Sequence, residues 1–246
     1  MTIINPKDAN HKAWLMRLLT EIADDQFLAK QLRFKGGTCA SMLGYLDRFS
    51  VDLDFDVLDE TQTDLIRPKM KKIFTDLNLE IKDESKRVLE FSLRYPAPLN
   101  DRNSLRVDMV GTNYLENIYE NKLLPEINRY FGCQSVETMF SHKLVALTER
   151  YDKHQTIAGR DVYDIHYFFF SGRLYRHELI KERTGKDLLK FFNDMKEFLK
   201  NQVTTDLLVQ DLGTLLPSDK MRFVKKNLLQ ETKMFVANEI AKISPP

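Results

Sequence analysis

The sequence predicts an α+β fold: a small mixed sheet with flanking helices over residues 1–133, followed by an all-helical domain over residues 134–246. Three observations carry this. Residues 50–57 alternate polar side chains, Ser50 and then three acids, with apolar ones, a period of two that only a strand resolves onto two faces. Gly36-Gly37 stands where a short apolar run gives way to a helical pattern. From about Val136 onward the glycines thin out and apolar residues recur every three or four positions. With 246 residues, 43% of them apolar and 30% charged, the chain can bury a sizeable core without disulfide or metal staples. A formal net charge of +1 sets up no global field for nucleic acid, so such a role would rest on local patches. The two cysteines, Cys39 and Cys133, form no disulfide framework and no zinc-ligand spacing, and no charged start with an apolar core segment or long apolar span is present. The expectation is a cytoplasmic protein with no membrane partner.

The elements follow in order. Ala13, Leu15, Met16, Leu18, Leu19, Ile22 and Ala23 place a helix over about 8–24. Leu32-Arg33-Phe34 reads as a strand running into Gly36-Gly37-Thr38, and Cys39-Ala40-Ser41-Met42-Leu43 as the helix that follows. Ser50 to Val57 is the alternating strand, and Leu65 to Leu77 a helix. Leu79–Ile81, Val88–Tyr95 and Leu105–Val110 are further strands, the last two joined by a turn over residues 96–101. In the second half, Leu188, Phe191, Phe192, Met195, Phe198 and Leu199 form a core-facing helical stripe, and Met221, Val224, Leu228 and Phe235 another.

On the alternating strand Asp52, Asp54 and Asp56 share one face, and Leu53, Phe55 and Val57 the other. Carboxylates two residues apart stand roughly 6–7 Å apart at their bases, close enough to converge on a pair of divalent cations about 3.5–4 Å apart. Residues 47–64 hold seven acids and one base, Arg48, so this surface repels itself unless metal or a basic neighbour neutralises it. The competing structural reading is the solvated face of an edge strand protected by charge. Gly36-Gly37-Thr38 lets backbone N–H groups approach phosphate oxygens, or is simply a tight connection. Asp108, alone among Leu105, Val107, Met109 and Val110, needs a partner: either a metal shared with Asp52 and Asp54, or an ion pair with Arg94 or Arg106.

A glycine turn opening a helix, a strand bearing Asp-x-Asp and a later strand bearing one more acid together resemble the active-site layout of DNA polymerase beta-like nucleotidyltransferases. Phe34-Lys35-Gly36-Gly37-Thr38, followed by Leu46-Asp47-Arg48-Phe49-Ser50-Val51-Asp52-Leu53-Asp54-Phe55, is similar to the first two motifs of the AbiEii/AbiGii-type nucleotidyltransferase toxins of abortive-infection and toxin–antitoxin systems. Lys143-Leu144-Val145-Ala146-Leu147-x-x-Arg150 resembles that family's third motif, whose lysine is expected to hold the triphosphate. Gly159-Arg160-Asp161-Val162-Tyr163-Asp164 resembles its fourth, Arg-Asp-x-x-Asp. On pattern alone Lys143 also reads as a snorkelling surface lysine. Asp161 either holds Lys143, acts as base on an attacking hydroxyl, or merely starts a helix. Asp164 divides between site and scaffold.

The resemblance implies a sheet of the nucleotidyltransferase type, completed by the helical domain into a cleft. It implies catalysis by Asp52, Asp54, Asp108, Lys143 and Asp161, with the first three as ligands of Mg²⁺ or Mn²⁺. It implies nucleotide binding by Gly36, Gly37, Thr38, Ser50, Lys143 and Arg150, with Arg160 and Asp164 in support. The expected reaction moves a nucleoside monophosphate from ATP, GTP, CTP or another NTP to an acceptor hydroxyl, the 3′ end of a tRNA being the implied acceptor and a separately encoded antitoxin the implied partner. Other readings stand beside it: a phosphotransferase using the same cleft, a catalytically silent nucleotide-binding module, and a HEPN-like ribonuclease built on Arg160 and His166. Two basic stretches, Arg67 to Lys72 and the segment after Pro217, read as solvated helix faces or phosphate contacts.

Overall fold

The computed structural model describes residues 8–99, 101–111 and 114–244; Asn100, within the turn expected over residues 96–101, lies outside them. By compactness the chain divides into two units, one of Met1–Asn113 with Ile118–Ser135, the other of Tyr114–Asn117 with Val136–Pro246.

The first unit opens with α1 (Asp8–Asp24), which buries Leu15, Leu18, Leu19 and Ile22 along one stripe. The short α2 (Gln26–Gln31) starts because the Asp25 carboxylate accepts from the N–H groups of Phe27 and Leu28. Then come β1 (Leu32–Lys35), α3 (Gly36–Met42), β2 (Asp52–Val57), α4 (Thr63–Asp76), β3 (Glu80–Glu84), β4 (Leu89–Arg94), β5 (Ser104–Val110), β6 (Tyr119–Leu124) and β7 (Arg129–Gln134). The strands form one mixed sheet in the order β3-β4-β5-β2-β1-β7-β6. β2 runs antiparallel to β1 and parallel to β5, and β1 runs parallel to β7. Helix α1 touches β2 and β7, α2 touches β1 and β7, and α4 touches β3. The buried face carries Phe34, Leu53, Phe55, Phe91, Val107, Phe131 and Cys133, all at most 1% exposed. Truncating one of these phenylalanines to alanine costs about 3–5 kcal/mol in such a core. The sheet thereby spends its apolar face on packing and leaves the alternate positions for polar groups.

Two details depart from the sequence reading. β2 lies between β5 and β1, so the acids do not sit on an edge strand and charge protection of an edge does not explain them. The hairpin of β6 and β7 and the helix α2 are additional elements. β6 is an edge strand with half of its positions exposed and only Leu124 buried, so it has no apolar alternation to betray it, and β7 carries Gly132 in its middle.

The second unit contains α5 (Val136–His154), α6 (Gly159–Phe170), α7 (His177–Thr184), α8 (Leu188–Asn201), α9 (Thr205–Leu212) and α10 (Ser218–Phe223), the last continued through a π turn (Val224–Leu228) into α11 (Leu229–Ile243). Helix α8 buries Phe191, Phe192, Met195 and Leu199, and packs on α11; α5 packs on α6 and α7. The segment 114–117 is fastened to this unit by side chains. Glu182 accepts from the N–H groups of Leu115 and Glu116 at 2.8 and 3.1 Å. Arg176 donates to the Glu116 carboxylate at 2.6 Å, His142 meets the Asn117 side chain at 2.8 Å, and the Arg183 guanidinium lies over the Tyr114 ring. Among the described residues no helix is long and apolar enough to cross a membrane.

Candidate active site

Gly36 begins α3 with φ of +75°, in the left-handed region that glycine enters without strain. A Cβ there would run into the Asp54 carboxylate. A Cβ on Gly37 would come within 2.8 Å of Arg48 Nη2 and 2.9 Å of Ser50 Oγ. The turn is thus held between the acid strand and the segment that precedes it, and both glycines are required by close approach. Thr38 Oγ1 donates to the carbonyl of Asp52 at 2.5 Å, and Ser41 Oγ to that of Arg48 at 2.9 Å, which stitches α3 to residues 48–52. Arg48 is buried and donates to the Phe49 carbonyl.

Strand pairing supplies the rest of this face. In the parallel register of β2 and β5, Asp52 is opposite Arg106 and Asp54 is opposite Asp108. On the far side of β5, Glu90 of β4 is opposite Asp108. Arg106 reaches the Asp108 carboxylate at 3.1 Å and that of Glu90 at 2.6 Å, so the ion pair that sequence offered as the alternative for Asp108 exists alongside its proximity to Asp54. Burial lifts the Asp108 carboxyl above the ordinary carboxylate range; Arg106 and Lys35 oppose the rise, and Asp52 adds to it. Asp108 therefore has both a cation and a like-charged neighbour in electrostatic reach. The donor set is all carboxylate oxygen from two adjacent strands, the hard ligands that Mg²⁺ and Mn²⁺ take. Among the described residues no group of three or more His, Cys, Asp or Glu side chains stands as a ready-made metal cage.

In the helical unit the basic and acidic residues singled out by sequence meet one another. Lys143 on α5 donates to Asp161 Oδ1 at 2.8 Å and lies 3.0 Å from Asp164 Oδ2, both on α6. Arg150, two turns further along α5, lies 3.5 Å from Asp161 Oδ2. Asp161 and Asp164 are buried to within 1%, whereas the Lys143 side chain keeps a fifth of its surface exposed. Lys143 is therefore anchored, not snorkelling, and Asp161 does more than start its helix. The start of α6 is instead met by Asp211, which accepts from Gly159 N–H at 2.7 Å. Arg160 is half-buried on the same turn. His166 is buried, bonded to Glu231 at 2.8 Å and surrounded by Phe170, Phe223 and Phe235. That is helix packing, and it leaves the ribonuclease pairing with Arg160 without support.

Other sequence candidates resolve into structure. Arg67 donates to the carbonyls of Ser85 and Val88, and Lys69, Lys71 and Lys72 pair with Asp25, Glu84 and Asp76. Cys39 and Cys133 are buried free thiols, and burial together with the neighbouring Cys133 pushes the Cys39 thiol well up. Two residues carry more than the sequence reading gave them. Lys35 and Asp56 share the acid face, and the signal for both was available: Asp56 continues the Asp-x-Asp alternation and Lys35 adjoins the glycines.

No curated protein matches the chain. Among solved structures, the chain is similar to JHP933 from Helicobacter pylori at 19% identity and a TM-score of 0.59, over 98% of this chain and 95% of that one. It is also similar to MenT4, a nucleotidyltransferase toxin from Mycobacterium tuberculosis, at 20% identity and a TM-score of 0.53, over 97% and 94%. At such identities these likenesses speak to the fold. A protein-family model described as "Nucleotidyl transferase AbiEii toxin, Type IV TA system" matches residues 17–234, nearly the whole chain and all four motifs. The chain is a nucleotidyltransferase and belongs to the AbiEii toxin family.

Proposed function

We propose that this toxin transfers a nucleoside monophosphate from an NTP to a hydroxyl at the 3′ end of an RNA, with tRNA as the acceptor, and that a separately encoded antitoxin neutralises it. The observation that carries the transfer chemistry is the register of β2 and β5, which sets Asp54 beside Asp108 with Gly36 packed against Asp54. Asp52, Asp54 and Asp108 would hold Mg²⁺ or Mn²⁺, which when bound neutralises charge at the α-phosphate and polarises it. The N–H groups of Gly36, Gly37 and Thr38 and the Ser50 hydroxyl bind phosphate oxygens. Lys143, with Arg150 close by, supplies positive charge to the triphosphate. Asp161 and Asp164 fix Lys143 in place, and Arg160 on the same turn supports them. The acceptor oxygen attacks the α-phosphorus, the bond from that phosphorus to the bridging oxygen breaks, and pyrophosphate leaves with the electron pair. The hydroxyl proton passes to solvent or to a carboxylate of the acid face.

The test is incubation of the purified protein with total tRNA and each labelled NTP, with and without EDTA. RNA that lengthens with release of pyrophosphate, and that stays unchanged with EDTA or in Asp161→Asn, is the expected result. Transfer of the γ-phosphate instead would establish a phosphotransferase, and RNA that shortens in EDTA and survives in His166→Ala would overturn the proposal in favour of RNA cleavage.

A further inference from the structure

The reading above uses two of the three aspartates on β2. The third, Asp56, has no exposed surface, yet it is far from idle. Its Oδ1 accepts from Lys35 Nζ at 2.6 Å, and its Oδ2 accepts from Gln134 Nε2 at 2.6 Å and Tyr119 Oη at 3.0 Å. Those donors come from β1, β7 and β6, so one carboxylate on β2 gathers three other strands. A buried carboxylate that accepts from a cation and two neutral donors fixes what it binds.

What it fixes is a lysine with a particular address. Lys35 is the residue immediately before Gly36-Gly37 and the register partner of Asp54 across β1 and β2. Its side chain keeps a fifth of its surface exposed, and its charge is felt at Asp108. An ammonium group has three donors and Asp56 takes one, so two remain for a ligand on the open face. The glycine turn offers a triphosphate only neutral N–H groups. Lys35 adds formal positive charge beside that turn.

We propose that Lys35 is a catalytic residue that binds the triphosphate of the incoming nucleotide, and that Asp56, through its bonds to Lys35, Tyr119 and Gln134, is the positioning residue that aims it. The proposal rests on the nucleotidyl-transfer reading. It assigns the first unit its own phosphate-binding cation, additional to Lys143. Lys35 has a second effect on the same face: as a fixed positive charge beside three carboxylates, it lowers their attraction for a cation in the absence of nucleotide.

Three measurements on the full chain test this: the KM for ATP, GTP, CTP and UTP in turn, competition by inorganic tripolyphosphate, and the affinity for Mn²⁺ alone. Lys35→Met is expected to raise the KM of the preferred NTP at least tenfold and to weaken tripolyphosphate equally, while Mn²⁺ alone binds several-fold more tightly. Lys35→Arg should recover part of the loss, because a broader planar head fits the same charge less well. Asp56→Asn keeps the shape but turns one acceptor oxygen into a donor facing Lys35 or Gln134, so it loosens the hold on Lys35 and should raise KM with a smaller change in kcat. Wild type that transfers, beside Lys35→Met with unchanged KM and unchanged Mn²⁺ affinity, overturns the proposal whatever happens to its melting temperature. If Lys35→Met does not fold, Lys35→Arg decides: unchanged KM and unchanged tripolyphosphate competition refute it. Wild type that transfers nothing to any acceptor refutes the transfer reading itself, and triphosphate competition is then read by direct calorimetry, where equal binding to wild type and Lys35→Arg still counts against Lys35.

Discussion

Acidification should loosen the strand that carries the acids, through a histidine on α1. His11 is fully buried, with Nε2 2.9 Å from the carbonyl of Val51 and Nδ1 2.6 Å from the Tyr95 hydroxyl. A carbonyl only accepts, so Nε2 carries the proton and Nδ1 accepts from Tyr95. Val51 is the residue before Asp52, so this bond pins the start of β2. Burial lowers the His11 pKa from 6.5 to about 4, with the hydrogen bond to Val51 opposing and the charge of Arg102 assisting the fall. The sign follows: between pH 6.5 and about 4 the unfolded chain binds this proton and the folded chain does not, so stability falls as pH drops through that window. A fall from 6.5 to about 4 at about 1.4 kcal/mol per pH unit amounts to about 3 kcal/mol, fully lost below pH 4. Above pH 6.5 both states are neutral and the group contributes nothing to the pH dependence. The assay is urea unfolding at half-unit steps from pH 7.5 to 4, for wild type and His11→Gln, which still donates to Val51 but does not titrate. The gap between the two curves should shrink toward acid by about 3 kcal/mol. A gap that stays constant across the window refutes the reasoning.

The other expectations concern the site. Asp52→Asn and Asp54→Asn should abolish transfer without lowering the melting temperature, since each removes a charge from a repelling cluster; a collapse of both together, read by calorimetry, would make the acids structural. Lys143→Ala leaves Asp161 and Asp164 buried around a missing cation and should cost about 2–3 kcal/mol, less than a wholly buried pair because Lys143 is partly exposed. Denaturant titration checks that figure, and NTP kinetics well below the melting temperature should still show a large rise in KM. Gly36→Ala forces a side chain into the left-handed region and against Asp54, so it should cost about 1 kcal/mol or more of stability and most of the activity; wild-type turnover in that variant would mean the turn relaxes freely.

Much of this was legible from sequence because it follows from periodicity. Alternation over residues 50–57 located β2 and its two faces, and helical spacing located α1 and α8. Gly36-Gly37 marked the strand-to-helix turn, and a separation of one helical turn put Asp161 and Asp164 on one side of α6, where they meet Lys143. What periodicity does not encode is pairing. Nothing local to Asp108 says that it lies opposite Asp54 and not Asp52, because register is a property of two strands about fifty residues apart. The partners of Asp56 come from residues 35, 119 and 134, two of them on a hairpin whose exposed edge strand has no apolar rhythm. The lysines and arginine of α4 carry a charge pattern that reads first as a solvated helix face and only second as a phosphate surface, and charge pattern alone does not name their individual partners.

The small segment 114–117 has a consequence for anyone who takes the protein apart. The backbone passes from one unit to the other three times, once into this segment, once out of it and once at residue 135. No single cut in the gene releases either unit whole. A fragment starting at Val136 would lack the four residues that Glu182, Arg176, Arg183 and His142 hold, and would leave those side chains without these partners. A fragment ending at Ser135 would carry that same segment with nothing to dock on. Recombination, whether in a laboratory or between genomes, can exchange these halves only with a graft of Tyr114–Asn117 as well, which ties the inheritance of the acid-bearing sheet to that of the Lys143 bundle.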